Sequence, residues 1–318
     1  MKLVILDSET VSRNGDISLL PITKLCETKV YGYVENDKVS EAIGDADAVI
    51  CNKCLITRDV FKNCKNLKYV GLFATGFNNV DIKAASEYGA VVSNVPSYST
   101  NSVAQHTFAL ILDYFNKTTD YKESVKNGDW INYKYFSYFY IPIHELSGKT
   151  IGIIGYGDIG KKVAKIADAF DMNVLAYTRT SSKVCSPAKA VTLEQLLKES
   201  DIISLHCPLN DETKELINKR TLSLCKNTAL IVNTSRGGVI NEKDLATALR
   251  NGEIAHASID VLTDEPMKES CPYIGLENIT ITPHIAWAPI ETRIRLIEKV
   301  AENLRAFIEG KPKNKVNN

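Results

Sequence analysis

The chain has 318 residues, of which 44% are hydrophobic and 24% charged, and its 38 basic residues balance 38 acidic ones. That length exceeds one average domain and points to two. The zero net charge argues against a nucleic-acid or membrane surface held by bulk charge, and no run approaches the roughly 18 apolar residues that span a bilayer.

The opening apolar run, residues 2–6, is too short for an export signal and reads as a first strand, so a cytoplasmic location is expected. The eight cysteines are scattered through the sequence and are expected to stay reduced there. Cys51-Asn52-Lys53-Cys54 has CxxC spacing with Cys64 nearby. It lacks a second pair or a thioredoxin-like context, and reads as free thiols at a strand end, with no metal expected.

Short apolar runs then alternate with helix-period segments, the sign of an α/β protein with parallel sheets. Strands are expected at 2–6, Ala48–Cys51, 68–73 and 91–94, with segments such as 81–88 between them. This describes a small doubly wound unit. Residues 102–115 follow as a helix apolar on nearly every side, which calls for burial, either between two domains or against a second subunit. An aromatic stretch containing Trp130, Tyr133, Tyr135, Phe136, Tyr138, Phe139 and Tyr140 has no clear period and reads as an ordered loop.

From Lys149 a second α/β unit begins, with strands expected at Thr150–Ile154, Asn173–Tyr177, Ile202–Leu205, Leu230–Asn233, 257–259 and Ile279–Ile281. Six strands with intervening helices match a dinucleotide-binding sheet. The last helix, Ile290–Ile308, carries Ile290, Ile294, Ile297, Ala301, Leu304 and Ile308 on one face. If it folds back onto the first domain, that domain is discontinuous. The polar tail 311–318 is expected to fray.

The sequence Gly155-Tyr156-Gly157-Asp158-Ile159-Gly160 sits between an apolar strand and an amphipathic helix, the context a dinucleotide fingerprint requires. Gly155 permits the tight turn and Gly157 lets a pyrophosphate approach the backbone. Gly160 lets helix and strand pack closely, and the helix N-terminus offers N–H groups to the anion. An acid about 20 residues further on would bind the adenosine ribose. Here the second strand ends Tyr177-Thr178-Arg179-Thr180, and Asp168 and Asp171 come too early. Arg179, flanked by Thr178, Thr180 and Ser181, suits a 2′-phosphate, so NADPH is expected over NADH. The alternative is a solvated arginine that tolerates either cofactor.

Three ionisable residues follow the loop: Arg236 in Asn-Thr-Ser-Arg-Gly-Gly, Glu265 in Asp-Val-Leu-Thr-Asp-Glu-Pro, and His284 in Thr-Pro-His-Ile-Ala-Trp. A cation that grips a carboxylate, a carboxylate that holds an imidazole, and an imidazole that moves a proton near neutral pH form a minimal kit. With a nicotinamide, that kit interconverts a 2-keto acid and a 2-hydroxy acid.

Seven stretches in this order resemble the D-2-hydroxyacid dehydrogenase family over nearly the whole chain. They are residues 74–81 (Ala-Thr-Gly-Phe-Asn-Asn-Val-Asp), 99–106 (Ser-Thr-Asn-Ser-Val-Ala-Gln-His), the glycine loop, 205–209 (Leu-His-Cys-Pro-Leu), 233–237, Asp260-Val261 through Glu265-Pro266, and 283–287 (Pro-His-Ile-Ala-Trp). The first two resemble the glycerate dehydrogenase and hydroxypyruvate reductase branch. The resemblance implies two Rossmann-like, doubly wound domains. Residues 101–287 would be the cofactor domain, inserted into a flavodoxin-like substrate domain of residues 1–100 plus 288–318, and a homodimer would form through the cofactor domains. It implies catalytic roles for Arg236, Glu265 and His284, with Thr75, Gly76 and Arg236 holding the substrate.

NAD(P)H would be met by Val103, by Gly155, Tyr156, Gly157, Asp158, Ile159 and Gly160, and by Thr178, Arg179 and Thr180. His206, Cys207, Pro208, Thr213, Thr234, Ser235, Asp260 and His284 complete the set. Asp260 would face the nicotinamide carboxamide. His256 stands where the family often has a small residue and reads as structural. Tyr133 is placed to reach the active site of a partner subunit, the alternative being that the aromatic loop only packs an interface. The substrate implied is a small 2-keto acid, hydroxypyruvate or glyoxylate, with no nucleic-acid or membrane partner. Two alternatives remain at this stage: an NAD(H)-dependent scaffold of the co-repressor type, and a dehydrogenase of another 2-hydroxy acid such as D-lactate.

Overall fold

A computed structural model describes residues 1–317. The chain forms two compact units, one joining Met1–Ser99 to the residues from Trp287 onward, the other Thr100–Ala286. The first unit is a five-stranded parallel sheet of β1 (Lys2–Ile5), β2 (Glu27–Val30), β3 (Ala48–Cys51), β4 (Tyr69–Leu72) and β5 (Val91–Ser93). Its order is β2-β1-β3-β4-β5, the flavodoxin-like order. β3 and β4 are buried at every position. They read as continuous apolar runs because both faces are covered. Ile5, Ile50 and Tyr69 pack against Leu296, Ile297, Val300 and Leu304 of the last helix, Ile290–Ile308. Val4, Val49, Val70 and Leu72 point the other way, onto Val39, Ile43, Phe61 and Ala84.

Two expectations for this unit need correction. β2 is an extra strand. It lies at the sheet edge and is largely exposed, so Glu-Thr-Lys-Val carries no apolar alternation. The tail does not fray over residues 313–317. Val316 N donates to Val92 O, and Ser93 Oγ donates to Lys313 O. The buried Asn317 side chain accepts from Val92 N at 2.8 Å and donates to Ala90 O at 2.7 Å, as a strand backbone would. Residue 318 lies outside the described residues.

The second unit is a seven-stranded parallel sheet of β6 (Thr150–Ile154), β7 (Asn173–Tyr177), β8 (Lys189–Ala190), β9 (Ile202–Leu205), β10 (Leu230–Asn233), β11 (His256–Ile259) and β12 (Ile279–Ile281), in the order β12-β11-β10-β9-β6-β7-β8. The order in which successive strands are added reverses between β6 and β9, the switch point at which open α/β sheets bind ligands. The strand beyond the six expected is β8, a two-residue exposed edge.

The long helix, Thr100–Asn116, is apolar because it packs on its own sheet. Ala104, Phe108, Leu110, Ile111 and Phe115 join one core with Ile151, Ile153, Val163, Leu230 and Val232. Asn101, Gln105 and Ala109 remain exposed, one stripe at helical spacing, so burial does not run all the way round. His256 is buried on β11, bonded through Nε2 to Thr280 Oγ1 and lying 4.8 Å from the Tyr114 ring. Among the described residues no helix is long and apolar enough to cross a membrane.

Candidate active site

The glycine loop leaves the carboxyl end of β6 and opens the helix Asp158–Ala169. Gly155 has φ +96°, and a Cβ there would meet Cys207 N and the His206 carbonyl carbon at 2.6 Å. A Cβ on Gly160 would strike the Gly155 carbonyl oxygen, whereas one on Gly157 would enter open space. Two glycines are therefore required by close packing, and the third leaves a gap above the helix N-terminus. A pyrophosphate fits that combination.

His206 and Cys207 follow β9 directly and form the wall behind Gly155. The Nδ1 of His206 is shut from solvent without a partner among the described residues, and its Nε2 lies 2.8 Å from Ser204 Oγ. Burial pushes this imidazole down to about 3, so it is neutral at ordinary pH. Thr213 Oγ1 ties back to Pro208 O at 2.6 Å and steadies the same loop. Tyr156 is buried, and its hydroxyl donates to Cys185 O. Beyond β7, Thr178 is half-buried and Arg179 and Thr180 are exposed.

The three ionisable residues arise beyond the carboxyl ends of three neighbouring strands, Arg236 after β10, Glu265 after β11 and His284 after β12. β10 ends at Asn233, whose side chain accepts from Ser235 N and Ser235 Oγ and donates to Arg236 O. This closes the turn that presents Arg236. The arginine is exposed, with Nη1 donating to Ser235 O. A Cβ on Gly237 would strike the backbone of Leu262 and Thr263, so the Arg236 and Glu265 loops meet backbone to backbone.

Glu265 accepts the Leu262 N–H on Oε1 at 3.0 Å and faces His284 Nδ1 with Oε2 at 2.7 Å. An ionised carboxylate only accepts, so Nδ1 carries the hydrogen. Nε2 is then the nitrogen left for another partner.

His284 has φ +55°, a backbone region few non-glycine residues occupy and one that costs of order 1–3 kcal/mol. Asp260 supplies the compensation. Its carbonyl accepts His284 N at 2.8 Å, and its carboxylate accepts Thr282 Oγ1 at 2.6 Å and Ile285 N and Ala286 N at 2.9 Å each. Burial alone would raise the Asp260 pKa, but the His106, Thr282 and backbone hydrogen bonds outweigh it and hold the carboxyl below its usual range. The Asp260 carboxylate is closed off from solvent and fastens the His284 loop.

His106 closes one sequence motif and Thr282 opens another, each without an assigned role, and Thr107 lies just beyond the first. His106 Nε2 lies 3.0 Å from Thr282 Oγ1, and Thr107 Oγ1 lies 3.1 Å from Thr234 Oγ1. In the first unit, Thr75 lies beyond β4, with Oγ1 donating to Val95 O and its carbonyl accepting from Asn94. Gly76 follows it. Val103 is buried in the long helix.

A glycine loop at a sheet switch point, with a histidine–carboxylate pair and an arginine on neighbouring strand ends, defines a nicotinamide-dinucleotide-dependent oxidoreductase. Residues 108–286 match the NAD binding domain of the D-isomer specific 2-hydroxyacid dehydrogenases, and the chain belongs to that family. It is 41% identical to a hydroxypyruvate reductase of Blautia hydrogenotrophica, over the full length of both chains. It is 38% identical to a glycerate dehydrogenase of Methylorubrum extorquens, over 88% of each. An acyclic imino acid reductase solved in complex with NADPH and D-Arg superposes with a TM-score of 0.87 at 30% identity, covering 99% of this chain and 100% of the other.

Proposed function

We propose that this dehydrogenase reduces hydroxypyruvate or glyoxylate to the matching 2-hydroxy acid, with D stereochemistry where a stereocentre forms. The observation that carries the reading is the 2.7 Å pairing of Glu265 with His284 Nδ1, which commits one ring nitrogen and leaves the other for substrate. The names of the relatives that match over most of their length support the substrate class.

When bound, the dinucleotide supplies the hydride that C2 of the keto acid receives. The gap above Gly157, the helix N-terminus behind it and the His206–Cys207 wall are the parts of this chain that would hold it. His284 gives the carbonyl oxygen its proton from Nε2, while Glu265 fixes the ring and balances its charge. Arg236 grips the substrate carboxylate through its planar fork of donors. NADPH is the preferred cofactor, because Thr178 stands where an acid would exclude a 2′-phosphate and Arg179 is exposed beside it.

The same proposal includes a cytoplasmic homodimer. All eight cysteines are free, as suits a reducing compartment. Ile131, Phe136 and Phe139 are 87%, 91% and 79% exposed, and Trp130, Tyr133 and Tyr140 lie in the same loop. So many exposed apolar side chains in one loop suit an interaction surface. Tyr133 is the residue of this loop assigned to the partner's active site. Its replacement by alanine should keep the dimer mass while changing the ratio of kcat/KM for small and bulky keto acids.

The deciding experiment is a panel of hydroxypyruvate, glyoxylate, pyruvate and a branched 2-keto acid, each assayed with NADPH and with NADH. Fastest turnover is expected with hydroxypyruvate or glyoxylate and NADPH. A folded protein that turns over neither of these with either cofactor would falsify the reading.

A further inference from the structure

The long helix places His106 and Thr107 at consecutive positions, and each reaches a different loop of the site. Thr107 Oγ1 donates to Val103 O at 2.8 Å, so toward Thr234 it accepts. The Thr234 hydroxyl thus ties the end of β10, two residues before Arg236, to the helix. His106 reaches the ends of β11 and β12. Its Nε2 lies 3.0 Å from Thr282 Oγ1 and 3.5 Å from Asp260 Oδ1.

The hydrogens in this cluster can be assigned. Asp260 is an acceptor, so the 2.6 Å contact uses the single hydrogen of the Thr282 hydroxyl. Toward His106 that hydroxyl has only lone pairs. The hydrogen between them therefore sits on His106 Nε2, which also faces the Asp260 carboxylate. Asp260 and Thr282 are the residues whose carbonyls accept His284 N, at 2.8 and 2.9 Å. Asp260 also holds Ile285 and Ala286. A left-handed backbone such as that of His284 persists only where its surroundings over-determine it.

We propose that His106 is a positioning residue for His284. Its Nε2–H clamps Thr282 and Asp260 to the long helix, and this clamp sets the angle at which His284 meets the substrate oxygen. The proposal rests on the reading of His284 as the proton donor. It assigns His106 no contact with substrate or cofactor. Glutamine can place its amide nitrogen near the position of Nε2 and keep the donor, whereas phenylalanine fills the space without one.

The experiment compares full-length wild type, His106→Gln, His106→Phe, Thr282→Val, the double variant His106→Phe/Thr282→Val and His284→Ala. His106→Phe should lower kcat by about tenfold or more, the scale of one charge-assisted hydrogen bond. KM for the keto acid and the Kd for NADPH, measured by its fluorescence, should stay near wild type. His106→Gln should recover most of the rate. The double variant should be little slower than the slower single one, because both substitutions break the same chain of contacts. Nitrogen-15 spectra of the five histidines should lose one ring protonated at Nε2 in His106→Gln.

A wild-type kcat in His106→Phe, a His106→Gln as slow as His106→Phe, or additive losses in the double variant each overturn the proposal. If His284→Ala is slow and His106→Phe is not, only this proposal falls. If His284→Ala keeps the wild-type rate, the proton-donor reading falls and this one with it.

Discussion

Glu265 grips His284 with one carboxylate oxygen and is itself gripped by the other: Oε2 lies 2.7 Å from Nδ1, while Oε1 takes the Leu262 N–H at 3.0 Å. The carboxylate cannot turn without giving up one of these bonds. His284→Ala should therefore reduce kcat by about 10²–10⁴-fold, the usual share of general acid catalysis. Glu265→Ala should cost more than Glu265→Gln, because the amide keeps an oxygen on the ring but carries no charge. Steady-state kinetics at fixed pH checks the order, and equal rates in the two Glu265 variants would contradict the orienting role.

Arg236→Lys keeps the charge and loses the planar fork. A drop of at least about tenfold in kcat/KM is expected, since hydrogen bonds to charged groups contribute roughly 1.5–3 kcal/mol. Cofactor affinity should be unchanged. Wild-type kinetics in this variant would remove Arg236 from the substrate site.

Thr178→Asp combined with Arg179→Ala should move cofactor preference toward NADH. The new carboxylate can bind ribose hydroxyls and repels a 2′-phosphate. The ratio of kcat/KM for NADH and NADPH reads this directly, and a wild type that already favours NADH strongly would refute the role given to Arg179.

Acid should weaken the fold through His256. Burial pushes its imidazole down to about 4, with Lys117 acting in the same direction and Asp113 opposing. In the unfolded chain a histidine takes its proton near 6.5. Between those values the unfolded chain binds more protons, so stability is full above about pH 6.5 and declines as pH falls toward about 4, by about 3 kcal/mol at most. His256→Phe should flatten that slope, although His206 contributes in the same direction. Denaturant unfolding at steps between pH 7.5 and 4.5 measures it, and an unchanged slope would rule out His256 as the source.

The buried strands of both sheets were legible because parallel strands covered on both faces read as unbroken apolar runs. β2 and β8 were not, since each is a short polar edge with one neighbour. The tail was misjudged for a related reason: the Asn317 side chain does the work of a strand backbone, and composition does not reveal that. The apolar character of residues 102–115 was read correctly as a demand for burial, but which surface meets it depends on how the chain folds back. In the site, the glycine loop and the three ionisable residues stood out through residue type and local context. His106 stood in a quoted motif without a role, because its partner Thr282 lies far along the chain. The hold of Asp260 on the His284 loop was not legible, because sequence shows a carboxylate without showing which N–H groups surround it.

The first unit owns both ends of the described chain, and its outer strand β5 is completed by Asn317. During synthesis the second unit, one continuous stretch, has all its residues before the first unit has its last helix or its tail. The segment made first must therefore wait. Apolar faces of β1, β3 and β4 that will meet the last helix stay uncovered while the inner unit matures. The order of folding on the ribosome should thus be inside before outside, and the exposed early sheet is where a chaperone would be needed.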